Sequence, residues 1–363
     1  MQAYLSSMER QTRAIAEELG EAGFASMAIG GGTPTYLDAG ALESVFEVVE
    51  RVLGAVPSDM PVSVETSPET ADEERLRVLA AHGVDRISMG VQSLLESETN
   101  ALGRPQRKAD VYRAIETIRQ LGFSTLNIDM IYGTPGQTPS AWRHSMDEIL
   151  KVAPEEIFLY PLYVRPQTGL ARIDVDPVTE RIELYRVSRD LLLDAGYRQI
   201  SMRCFRRRDA PQTKADYACQ EDGMVGLGCG ARSYTSELHY ACRFAVNQPA
   251  VRLVLDEWIR ASTDDYRYAT HGFRMNDRER RHRFVILSLL QVDGLDLDGY
   301  ELRFGEAAEV AFPILQKLVE MELVTCVQQR LMLTETGMEL SDSIGPALYS
   351  SSVRSALEEF VKR

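Results

Sequence analysis

A short apolar run, Met27-Ala28-Ile29, breaks into Gly30-Gly31-Gly32 and then Thr33-Pro34-Thr35, and an amphipathic stretch follows from about Ala39 to Leu53. This reads as strand, glycine-rich turn, helix. Adjacent glycines carry no Cβ, so their backbone N–H groups can approach a ligand, above all an anion or a polar head. The plainer reading is a βα turn that needs a positive φ, and the residues downstream favour a site. Further strands are predicted at 61–66, 86–91, 125–131 and 156–160. Between them lie helices from Thr70, as N-cap, to about Ala81, and at 108–121 and about 139–151. Alternating βα units require a parallel sheet with right-handed crossovers. Ligands of such sheets bind at the C-terminal strand ends. Gly30 to Thr33, Glu65, Ser88 to Gln92 and Asp129 to Thr134 fall there. Buried strands seldom carry acids, so Glu65 and Asp129, each at or near a strand end, mark the expected site.

A helix is predicted at 177–197 and a strand near 198–202. A second glycine-rich stretch, Val225-Gly226-Leu227-Gly228-Cys229-Gly230, follows an irregular region. After about residue 272 the pattern changes to helices at 278–290, 297–304 and 313–321 and a hairpin at 323–334. Three helices and a hairpin resemble a winged helix. The formal charge of −14 argues against a nucleic-acid partner, so a packing or lid role is expected for this unit. The run Arg203-Cys204-Phe205-Arg206-Arg207-Arg208 is read as a solvated loop or a set of internal charge partners.

No apolar run approaches the ~20 residues that span a bilayer, and the first residues form an amphipathic helix, not a signal peptide. Cytoplasmic placement is therefore expected. The five cysteines, Cys204, Cys219, Cys229, Cys242 and Cys326, include no C-x-x-C pair. Free thiols in a reducing compartment are the default, and these spacings alone do not make a zinc or iron–sulfur site.

Several stretches together resemble the radical S-adenosylmethionine (SAM) proteins of the oxygen-independent coproporphyrinogen III dehydrogenase and HemW type. They are GGGTPTYL at 30–37, SVETSPET at 63–70, RISMGVQSL at 86–94, LGR at 102–104 and NIDMIYGTPGQT at 127–138. VGLGCGARSY at 225–234, LLQVDG at 289–294 and LMLTETG at 331–337 continue the match. The resemblance implies an α/β fold, a partial, open (βα)6 barrel whose first strand is missing, over residues 1–240. A small winged-helix-like C-terminal domain over 241–363 completes it.

It also implies SAM contacts at the matching positions. Gly31, Gly32 and Thr33 resemble the turn that meets the methionine amino group, and Glu65 a carboxylate at the amino or ribose end. Gln92, Arg104 and Asp129 fall at further polar contacts, and Tyr163 near the adenine pocket. An acid suits the SAM ammonium or diol, and an arginine its carboxylate. The implied cofactors are SAM and a [4Fe–4S] cluster. The implied partners are a small organic substrate, of tetrapyrrole type or other, and an electron donor such as flavodoxin or ferredoxin.

The family holds its cluster with C-x-x-x-C-x-x-C, which these 363 residues do not contain. Three thiolates leave one iron open for SAM, so the residues as written are not expected to turn over. A start at an internal Met1 is the favoured explanation; the other is a relic that keeps SAM or tetrapyrrole binding without chemistry. HemW haem chaperones carry H-N-x-x-Y. Here Thr213-Lys214-Ala215-Asp216-Tyr217 keeps only the tyrosine, so haem chaperoning by that motif is not expected. The family also includes methyltransferases that use two SAM molecules.

Overall fold

The computed structural model describes residues 1–164, 178–211, 223–243, 245 and 247–361. The Thr213–Tyr217 stretch and Cys219 lie outside them. Helix α1 (Gln2–Leu19) leads into β1 (Met27–Ile29), α2 (Ala39–Leu53), β2 (Val62–Thr66), α3 (Glu73–Ala81) and β3 (Arg86–Gln92). Then come α4 (Glu96–Ala101), α5 (Lys108–Gln120), β4 (Thr125–Tyr132), α6 (Pro139–Lys151), β5 (Glu156–Pro161) and α7 (Val178–Asp194). The hairpin β6 (Tyr197–Gln199) and β7 (Cys204–Arg207) completes a seven-stranded sheet of order β1-β2-β3-β4-β5-β7-β6.

The first five strands are parallel, as the βα rhythm requires. The single strand expected at 198–202 is instead a hairpin, antiparallel to β5. The chain turns at Ser201–Met202, so that β7 and not β6 pairs with β5. Strand β1 lies at the sheet edge, paired with β2 on one side.

Side chains alternate across a strand, and here the alternation divides the sheet sharply. Val62, Val64, Ile87, Met89, Leu126, Ile128, Ile157 and Leu159 share one fully buried face. They pack on Phe46, Leu76, Ile118 and Trp142 of the outer helices. Each such side chain contributes roughly 1.5–3 kcal/mol by leaving water. The opposite face is polar and open.

Helix α3 begins later than Thr70. The Asp72 carboxylate accepts the Arg75 N–H at 2.9 Å and caps the helix. The Thr70 hydroxyl is committed elsewhere, 2.6 Å from Thr35 Oγ1.

Strands β8 (Arg232–Tyr234), β9 (Leu238–Ala241) and β10 (His271–Arg274) form a small antiparallel sheet. The expected domain boundary at 240 therefore cuts a strand. Helix α8 (Gln248–Arg260) packs on α1, with the Tyr4 and Trp258 rings 4.9 Å apart.

A second core, including Val285, Leu289, Leu315 and Leu331, belongs to the C-terminal unit. Its helices are α9 (Asp277–Leu289), α10 (Leu297–Phe304), α11 (Ala308–Ala311) and α12 (Ile314–Glu320). Strands β11 (Leu295–Asp296), β12 (Val324–Val327) and β13 (Arg330–Leu333) form its sheet. Helices α13 (Glu335–Glu339), α14 (Ser341–Ala347) and α15 (Ser351–Val361) end the chain. Buried Glu339 joins this unit to the barrel through Arg186 Nη2 at 2.7 Å and Arg189 Nη1 at 2.5 Å. Burial alone would raise its carboxyl; the two guanidiniums outweigh burial and hold it below the usual range.

Candidate SAM site on the open face of the sheet

Ser63 and Glu65 of β2, Arg86 and Ser88 of β3, Asn127 and Asp129 of β4, and Phe158 and Tyr160 of β5 occupy alternate positions on the open face. With Ala28, Ile29 and Gly30 they line one cavity of about 250 Å³. In register, Glu65 lies beside Ser88 and Ser88 beside Asn127.

The turn after β1 is held against this face from two sides. Thr35 Oγ1 is buried 2.8 Å from Thr66 Oγ1, at the end of β2. The Gly31 N–H donates to Glu65 Oε2 at 3.2 Å. A Cβ on Gly30 would stand 2.8 Å from the Glu65 carboxyl carbon, so only glycine allows this approach. Gly31 has φ +116°. A Cβ on Gly31 or Gly32 would enter open space.

The polar groups within the cavity are interlocked. Asn127 Nδ2 donates to Ser88 Oγ at 2.8 Å and to Asp129 Oδ1 at 2.7 Å. That leaves Asn127 Oδ1 buried without a partner, an acceptor oriented by its own amide and available to a donor. Burial pushes the Asp129 carboxyl up to about 6, and the Glu65 charge adds to this against the Asn127 bond and the Arg86 charge. Arg86 is already engaged, donating to Glu156 Oε2 at 2.8 Å and to Ser63 Oγ at 2.8 Å. Phe158 lies under its guanidinium, 5.8 Å to the ring centroid. Burial raises the Tyr160 hydroxyl to about 12, so it stays protonated. The net character is acidic and acceptor-rich, with one aromatic wall.

The residues expected from sequence are dispersed differently. Glu65 and Asp129 meet in this cavity, but Asp129 sits in the middle of β4 and not at its end. Gln92 ends β3 past a bulge, with φ +68°, and folds back so that its Nε2 lies over Gly90. It thus borders the same face, because Gly90 is in register with Asp129. Arg104 is exposed in the loop after α4 and Thr33 is half-buried at the turn; neither lines the cavity. Tyr163 is half-exposed and turned to the C-terminal unit. Its hydroxyl donates to Asp342 and accepts from Arg203 Nη2 at 2.9 Å. Sequence reasoning missed Ser63, Arg86, Asn127, Phe158 and Tyr160. The signal for the first three was the strict alternation of polar and apolar residues in VSVE, RISM and NIDM; EIFLY, which holds the two aromatics, shows no such alternation.

Residues 5–149 match the Radical SAM superfamily, and residues 275–340 the HemN C-terminal domain. The chain thus carries a radical SAM domain followed by a HemN C-terminal domain. The chain is 25% identical over 348 residues to the heme chaperone HemW of Bacillus subtilis, covering 94% of itself and 89% of that protein. It is 26% identical over 306 residues to an anaerobic coproporphyrinogen III oxidase of Cereibacter sphaeroides, covering 80% of itself and 66% of the oxidase. Its fold matches the solved coproporphyrinogen III oxidase HemN of Escherichia coli with a TM-score of 0.80. That match has 21% identity and covers 95% of this chain and 82% of that one.

The superfamily uses SAM and a [4Fe–4S] cluster, and the two groups fare differently here. The glycine cradle at Gly30, the free acceptor of Asn127 and the two acids fit the cationic, hydroxyl-bearing SAM. For the cluster, the described residues offer no ligand set. Among the described residues no three His, Cys, Asp or Glu side chains gather to hold a metal. Cys204 is half-buried in β7 with its thiol pushed up by desolvation to about 12, Cys326 is exposed on β12, and Cys229 and Cys242 pair with each other and with no third described thiol.

Among the described residues no helix is long and apolar enough to cross a membrane.

Proposed function

We propose that this chain binds SAM between the Gly30–Thr33 turn and the polar face of β2–β5. The observation that carries the reading is the glycine cradle closed over Glu65, opposite an unpartnered buried acceptor and a second acid. SAM supplies the carbon–sulfur bond that the superfamily's chemistry breaks. Glu65 spends one contact on the Gly31 N–H and offers its remaining lone pairs to the ammonium or the ribose diol. Asn127 Oδ1 accepts one further donor. Asp129 holds a proton near pH 6 and releases it when a cation arrives. Phe158 and Tyr160 give an apolar wall. Gln92, at the end of β3, and Arg104, in the loop after α4, are assigned to the SAM carboxylate, which a guanidinium can bind through two parallel bonds.

Two activities are compatible with this site. In the first, SAM is reductively cleaved to act on an organic substrate of coproporphyrinogen type, with electrons from a flavodoxin- or ferredoxin-like donor. In the second, SAM or haem is bound without chemistry, a reading supported by the likeness to the heme chaperone HemW of Bacillus subtilis. Calorimetric titration with SAM tests the shared site. Glu65→Gln is expected to weaken binding about tenfold, the size of one charge-assisted bond, with unchanged circular dichroism. Undiminished affinity would remove the site. Formation of 5′-deoxyadenosine after anaerobic reconstitution with iron and sulfide then separates the two activities.

A further inference from the structure

The β8–β9 hairpin has a cysteine at each of its open ends. Cys229 precedes β8 in the glycine-rich turn and Cys242 follows β9, just past the paired residues Arg232 and Ala241. Both thiols are half-buried and pack into one cluster with Tyr4, Met8 and Trp258. The two thiols lie beside each other in that cluster. The two are not equivalent. The backbone of Gly230 and of Cys242 itself, and the field of His271, opposite Ala241 in the neighbouring ladder, favour the Cys242 thiolate. The Cys229 thiol is the largest of these influences, and together they hold Cys242 below the ordinary thiol range. The same mutual contact, with burial, pushes Cys229 up. Cys242 is therefore the nucleophile of the pair and Cys229 the resolving thiol.

We propose that Cys229 and Cys242 form a reversible disulfide by exchange with a small-molecule disulfide. The Cys242 thiolate attacks one sulfur of the small disulfide, whose S–S bond breaks, and the first small thiol leaves and takes up a proton. Cys229 loses its proton to water and attacks Cys242 Sγ in the mixed disulfide, displacing the second small thiol. Two protein thiols are oxidised and one disulfide is reduced to two thiols. The bond fastens the glycine-rich turn to the end of β9. That turn already holds α1, through the Gly228 N–H to Gln11 Oε1 at 2.8 Å and the Tyr4 hydroxyl, which lies close against Gly228. Oxidation thus joins α1, the turn and the hairpin into one block, away from the polar face of the main sheet.

The test is incubation of the full chain with excess glutathione disulfide, trypsin digestion without reductant, and mass spectrometry. Cleavage after Arg232 separates the two cysteines, so the bond appears as joined peptides 215–232 and 233–243, released by dithiothreitol. Cys229→Ser is expected to stop at a mixed disulfide on Cys242, and Cys242→Ser to give neither product. Cys219→Ser, Cys204→Ser and Cys326→Ser are expected to leave the joined pair intact. Joined peptides that persist in Cys229→Ser assign the bond to Cys219 and overturn the proposal. So does a wild-type chain that accumulates the mixed disulfide without closing it.

Discussion

Strands β2 to β5 present two faces built from the same short segments, read at odd and even positions. One face, with Val64, Ile87, Ile128 and Ile157, is fully buried beneath helices. The other, with Glu65, Ser88, Asn127 and Asp129, lines an open polar cavity. Neighbouring residues thus have unlike surroundings: Ile128 holds the sheet to its helices, while Asn127 and Asp129 on either side of it face the cavity. The difference teaches that in this fold stability and binding are separated by parity along a strand. A substitution's effect should follow its face and not its distance along the chain.

The largest expected effect is on the buried face. Ile128→Ala should cost roughly 2–5 kcal/mol of stability, as large-to-small changes in cores do, measured by urea unfolding. SAM affinity of the fraction that remains folded should be unchanged. A drop in affinity that matches the loss of stability would show the two faces to be coupled.

On the open face the balance reverses. Gly30→Val places a branched side chain where the first carbon alone would meet the Glu65 carboxyl at 2.8 Å. Glu65 can swing away only by surrendering the Gly31 bond. Unfolding should change by less than about 1 kcal/mol, since Gly30 is exposed and such sites are tolerant. SAM affinity should fall more than tenfold. Gly32→Val, which meets nothing in the protein, reports on the ligand alone; full affinity there would place SAM away from the second half of the turn.

Much of this was legible in the chain itself. The βα rhythm foretold the parallel sheet, and the helices at 39–53, 139–151 and 297–304 have the bounds expected of them. The failures have local causes. Thr70 and Asp72 are both competent caps, and only the buried hydroxyl network around Thr35 decides between them. The β6–β7 hairpin was hidden because Ser201 and Met202 carry no glycine or proline turn signal. Tyr163 could not be placed from sequence, because its partner Asp342 is remote in the chain. The thiol pair was equally hidden, since a hairpin and not a C-x-x-C motif brings Cys229 to Cys242.

A smaller effect is expected from pH. The Asp129 carboxyl is raised by burial to about 6 from 3.8, so the fold favours its protonated form. That contribution is complete below about pH 4 and is lost as pH rises through about 6. Asp129→Asn should therefore be more stable than the parent at pH 7, by about 1–3 kcal/mol, and equal to it near pH 4. A bound cation reverses the preference, because it favours the carboxylate. SAM binding at pH 5.5 should then release a proton, seen as a buffer-dependent heat, and affinity should rise with pH in the parent but not in Asp129→Asn. A flat profile would remove Asp129 from the site while leaving the stability argument intact.

The smallest effect separates the cavity from the domain contact. The Tyr163 hydroxyl links Arg203 and Asp342 across the two cores, and Arg203 also stacks over the Tyr163 ring at 5.5 Å. Tyr163→Phe removes the hydroxyl and keeps the ring. It should cost about 0.5–1.5 kcal/mol, the net worth of one hydrogen bond, with SAM affinity unchanged. Tyr163→Ala removes the ring as well, and the two variants together decide where the residue works. If Tyr163 serves only the domain contact, the alanine form loses further stability through the lost cation–π contact and still binds SAM within about twofold, less than 0.5 kcal/mol. If its ring lies against the adenine, as the family resemblance implies, affinity falls in the alanine form alone. Because the phenylalanine form holds the ring and breaks the clamp, no general loosening of the C-terminal unit can imitate that second result.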